Sequence, residues 1–70
     1  RVLETFHARG VAFTDLRTRR AGASAFLQVV VLVPGDWTVR DGHALLDEIE
    51  AAVVAELPGI DVTTHLEPLP

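Results

Sequence analysis

Seventy residues suffice for one domain, read as a single unit over 1–70, and a domain of this size buries only roughly 60% of its unfolded surface. The chain has no cysteine, which excludes disulfides and thiolate metal sites and leaves nitrogen and oxygen donors for any bound ion. Ten acids against six bases, all arginines, give a net charge of −4, and with few aromatics this argues against a nucleic-acid partner. Arg17, Arg19 and Arg20 form a local basic cluster in which at least one arginine is expected to pair with an acid of a neighbouring element or of a second copy, a solvated hairpin edge being the alternative.

Val2, Leu3 and Phe6 have helical spacing, and Gly10 stands where a C-terminal helix glycine belongs, so residues 1–9 are read as the end of a helix. The chain starts at Arg1, not at a methionine, and is read as a piece of a longer protein. Residues 11–19 are expected to form a strand with Val11, Phe13, Asp15, Arg17 and Arg19 on one side. Ala21-Gly22-Ala23-Ser24 makes the turn into the clearest strand, 25–33, where β-branched residues dominate.

Pro34-Gly35-Asp36 breaks that strand, and Thr38 with Asp41 three positions on has the form of a helix cap. Val39, Leu46, Ile49, Val53 and Leu57 then repeat at helical spacing, widened by Leu45 and Ala52, until Pro58-Gly59 ends the helix. Residues 60–67 alternate, with Ile60, Val62, Thr64 and Leu66 on one face and Asp61, Thr63, His65 and Glu67 on the other, the pattern of a half-buried strand. The order αββαβ predicts an α+β two-layer sandwich of ferredoxin-like type. No run of about 18 apolar residues is present to cross a membrane as a helix.

The second strand predicts assembly. Phe26, Val30 and Leu32 fill one of its faces, and Leu27, Val29, Val31 and Val33 fill the other, with only Gln28 polar. A two-layer sandwich covers one sheet face with helices, so a strand apolar on both sides needs a second cover. The expected cover is a second copy, making a homodimer; a missing N-terminal segment is the alternative.

Three histidines are available for chemistry. His65 and Glu67, two apart on a strand, point to one face and can ligate zinc or a similar divalent ion, although a surface His–Glu pair has the same spacing. His43 is placed in the first turns of the second helix at the rim of its apolar stripe, and His7 beside Phe6 reads as a surface histidine. Nucleophilic catalysis has no support, because Ser24, the one serine, sits in a turn, and no glycine loop cradles a phosphate. The chain is therefore not expected to be an enzyme.

The segment Asp15-Leu16-Arg17-Thr18-Arg19-Arg20-Ala21-Gly22 resembles the first-strand motif of the C-terminal domain of cation diffusion facilitators. The likeness continues through Phe26-Leu27-Gln28-Val29, Val33-Pro34-Gly35-Asp36, Gly42-His43 and Leu57-Pro58-Gly59, and ends in Asp61-Val62-Thr63-Thr64-His65-Leu66-Glu67-Pro68, covering nearly the whole chain. It implies an αββαβ domain on the cytoplasmic side of the cell membrane, attached to a transmembrane transporter domain absent from this chain. It also implies a V-shaped homodimer binding divalent ions such as Zn²⁺ near the interface. His43, His65 and Glu67 match the family's metal positions. Thr14 stands where a histidine often precedes the Asp-Leu-Arg motif, and Val30 stands where the central strand commonly carries a second one.

Three readings of function follow. The first is a regulatory, dimerising domain of a divalent-cation efflux transporter with a reduced metal site. The second is a structural dimerisation module that binds no metal. The third is an unrelated ferredoxin-like domain that binds a small molecule in an apolar cleft.

Overall fold

The computed structural model of the chain describes Leu3, Phe6 and residues 10–70. Four elements follow one another: β1 (Ala12–Ala21), β2 (Ser24–Val33), α1 (Val39–Glu56) and β3 (Ile60–Pro68). The helix expected over residues 1–9 falls outside the described residues except for Leu3 and Phe6, and so does His7. Phe6 is buried in the core and Leu3 packs against it. The sheet order is β1-β2-β3, with β1 antiparallel and β3 parallel to β2. The fold is the α+β, ferredoxin-like two-layer arrangement that the element order predicts, and the twice-apolar strand is the central one.

Each boundary has a local cause. β1 and β2 are joined by Gly22 and Ala23 alone, and Gly22 takes a φ of 61°, which a two-residue hairpin requires at its first turn position. Helix α1 starts as its cap predicts, with the Asp41 backbone N–H donating to the Thr38 Oγ1 at 3.0 Å. It ends where the Leu57 N–H donates to the Val53 carbonyl, just before Pro58.

One layer of the core is the α1 face made by Leu45, Leu46, Ile49 and Val53; the other is Leu27, Val29, Val31 and Val33 of β2. The apolar stripe of the helix is shorter than the spacing predicts. Val39, the first residue of the helix, is 84% exposed, and Leu57, its C-terminal cap, is 49% exposed. Gly42 brings helix and sheet close: a Cβ at that position would meet the far end of the Leu66 side chain, which would have to turn aside to admit it. Thr64 also faces the helix, and its hydroxyl donates to Glu50 Oε2 at 2.8 Å.

β1 departs from simple alternation. Thr14 pairs with Val30 and Arg17 with Gln28, so Asp15 and Leu16 together oppose Val29. This is a β-bulge, and Asp15 adopts a φ of 53° to make it. The extra residue reverses the sidedness of everything after it. Phe13 lies opposite Val31 on the helix side, whereas Arg17 and Arg19 lie opposite Gln28 and Phe26 on the other side. The single-sided set expected for Phe13, Arg17 and Arg19 is therefore divided between the two faces.

Candidate metal centre

The sheet face turned away from α1 is built in transverse rows. Strand pairing places Ala12, Leu32 and Glu67 in one row, and Thr14, Val30 and His65 in the next. Arg17, Gln28 and Thr63 form a third row, and Arg19, Phe26 and Asp61 a fourth. His65 and Glu67 belong to this open face because their neighbours Thr64 and Leu66 contact the helix. Both are exposed. Two strand positions separate their backbones by about 6.6 Å, a span that two side chains can close around one ion.

The positions singled out in the sequence thus converge in part. Thr14, Val30 and His65 share one row, with Glu67 one row along. In that row an isopropyl group stands beside the imidazole and a neutral hydroxyl one strand further on, so the row adds no strong donor. His43 is not brought to this face. It sits on α1, next to the Gly42 that docks on Leu66, and is exposed. Among the described residues no three His, Asp or Glu side chains cluster around a common point. One copy therefore offers two donors at the open face, with His43 apart from them on α1, short of the three or four protein ligands of a tight zinc site.

The basic cluster also resolves. Arg17, Arg19 and Arg20 are all exposed, and the Arg19 guanidinium lies 5.5 Å from the centre of the Phe26 ring, within cation–π range. The pairing with an acid of a neighbouring element expected for one of these arginines is not seen among the described residues. Sequence reasoning missed the bulge that brings two of them to the face of His65 and Glu67. The left-handed residue was an aspartate, which carries a weaker signal than a glycine.

A groove of about 690 Å³ lies between the hairpin and the end of α1, lined by Arg19, Arg20, Phe26, Glu56, Leu57 and Pro58 among others. It is open and carries charge, unlike the apolar cleft that a small-molecule regulatory domain would need. No described helix is long and apolar enough to cross a membrane.

Residues 1–69 match the family model described as the cytoplasmic domain of cation efflux proteins, whose short name, ZT_dimer, marks a dimer module. An uncharacterized transporter of Synechocystis, sll1263, is 50% identical over 64 residues, which is 91% of this chain and 21% of that protein. The cation-efflux pump FieF of Klebsiella pneumoniae is 33% identical over 54 residues, 77% of this chain and 18% of the pump. Among solved structures, one of CzrB superposes with a TM-score of 0.87 at 39% identity, covering 99% of this chain and 84% of that one. The metal-bound C-terminal domain of the CzcD transporter from Thermotoga maritima superposes with a TM-score of 0.85 at 35% identity, covering 96% and 78%. The chain spans about a fifth of the length of the curated relatives it matches.

Proposed function

Because this chain belongs to the cation diffusion facilitator family, as the cytoplasmic domain of a cation efflux protein, we propose that it is the dimeric regulatory domain of a divalent-cation exporter and carries a reduced metal site. The observation that carries this reading is the open sheet face. It presents His65 and Glu67 side by side next to a half-buried apolar stripe of Phe26, Val30 and Leu32. The stripe supplies a reason to pair, and the two donors supply a reason to respond to an ion. Water or a group of a second copy completes the ligand set, since His43 lies on the helix layer and not on this face. The domain has no catalytic role in this reading; transport belongs to a membrane part outside this chain, and the parent protein moves divalent cations out of the cytoplasm.

The second reading, a dimer module without metal, draws on Thr14 and Val30, which remove two of the imidazoles the family commonly has. Calorimetric titration with Zn²⁺ and with Mn²⁺, with molecular mass measured alongside, separates the two. The regulatory reading expects saturable zinc binding that His65→Ala abolishes, that Glu67→Ala weakens, and that fades on acidification because a ligating imidazole must be unprotonated. Zinc binding that persists in His65→Ala places the site elsewhere. A dimer with no zinc response in the wild-type chain selects the structural module.

A further inference from the structure

The open face separates its charges by strand. Its β1 positions are Ala12, Thr14, Arg17 and Arg19, which carry only positive charge; its β3 positions are Asp61, Thr63, His65 and Glu67, whose only formal charges at neutral pH are negative. Between them runs the β2 stripe of Phe26, Gln28, Val30 and Leu32. A face basic along one edge, acidic along the other and apolar in the middle is complementary to itself under one of the two in-plane two-fold rotations. With the axis along β2, the stripe packs on its own copy and β1 lies over the partner's β3. Arg19 then meets the row of Asp61, and Thr14 that of His65. With the axis across the strands, Asp61 opposes Glu67, while Arg17 and Arg19 oppose Ala12 and Thr14. Charge selects the first arrangement.

We infer that two copies close face to face about an axis along β2, and that a reciprocal Arg19–Asp61 pair, made twice across the interface, latches the hairpin end of the dimer without any metal ion. This rests on the dimeric reading above and adds what holds the far end of the face, away from His65 and Glu67. Packed sheets lie about 10 Å apart, a gap an extended arginine spans. Arg19 is already laid over Phe26, the residue between it and Asp61 in its own row, so its guanidinium is held at the edge of the stripe that would lie on the axis. The β-bulge is what makes the latch available. Without the extra residue at Asp15 and Leu16, Arg19 would face the helix layer.

Charge reversal with complementation tests it. Arg19→Asp and Asp61→Arg are each made in the chain, and sedimentation is run in the presence of a chelator on the wild type, on each variant and on an equimolar mixture. The wild type is expected to be a dimer, and each variant alone is expected to dissociate at least about tenfold more readily, since like charges then oppose each other twice. The mixture is expected to regain the dimer, because the heterodimer restores both attractive pairs while neither variant regains one within itself. Thermal melts verify that both exposed substitutions leave the fold intact, and Arg19→Gln with Asp61→Asn, each expected to weaken the dimer less, serve if a reversed variant does not fold. Variants that dimerise like the wild type, or a mixture that stays monomeric, overturn the latch and leave the dimeric reading standing. A wild type that dimerises only when zinc replaces the chelator overturns the latch and keeps the metal-responsive reading; a wild type monomeric in both conditions overturns both.

Discussion

The helix-side face of the sheet and the face opposite it draw on the same ten residues of β2, yet they differ in kind. Leu27, Val29, Val31 and Val33 are all buried, with Val29 and Val31 at 0% exposure, beneath a helix spaced by Gly42. Phe26, Val30 and Leu32 are only half-covered, and they are bordered by charges on both neighbouring strands. The first face can be completed by this chain alone. The second combines apolar area with polar groups that are satisfied only from outside, the mixture expected of an interface that forms after folding. The difference teaches that an apolar central strand does two jobs here, and that parity along the strand separates them.

Paired substitutions make the contrast sharpest. Val31→Asp places an unpartnered carboxylate in the sealed layer and should cost about 4 kcal/mol or more, enough to unfold a domain of this size. Loss of the far-UV helical signal at room temperature is the expected result; a folded monomer would mean that the layer is less closed than its packing indicates. Val30→Asp, one residue away, should cost the fold only about 1 kcal/mol. Its main effect should instead be on assembly, read as a shift from dimer to monomer by light scattering with the helical signal retained. If Val30→Asp unfolds the chain as Val31→Asp does, the two faces are not separable. The smallest effect lies away from both faces. Thr38→Ala removes the acceptor of the Asp41 N–H and should cost about 1 kcal/mol. That lowers the melting temperature by roughly 4–8 °C. Oligomeric state should not change.

Most of the fold was legible because its signals are local and redundant. The run of β-branched residues in β2, the Thr38 cap and the alternation through Ile60–Glu67 each specify their element without help from the rest of the chain. Sequence could not say which of the two apolar sets of β2 meets the helix, because both are apolar and the choice depends on which face α1 covers. It also could not show the bulge, since Thr14-Asp15-Leu16 reads as ordinary strand and the irregularity is visible only in the pairing with β2. The site was legible to the extent that one strand fixes it: His65 and Glu67 share a face because they are two residues apart. His43 could be joined to them only through tertiary structure, which carries it on α1, in the layer away from their face.

The close seat of Gly42 on Leu66 bears on how binding would be measured. Leu66 stands between His65 and Glu67 in the chain, and its side chain anchors the start of α1 on the side away from theirs. The imidazole of His43 is carried on the helix layer and the donor pair on the open face of β3, and among the described residues the three do not gather around one point. An ion seated on His65 and Glu67 would draw any further protein ligand from a second copy, whose Thr14 lies over the row of His65 in the face-to-face pair. Its apparent affinity would then not be a property of the chain alone: it would rise with protein concentration, because capturing the ion and capturing a partner become one mass-action equilibrium.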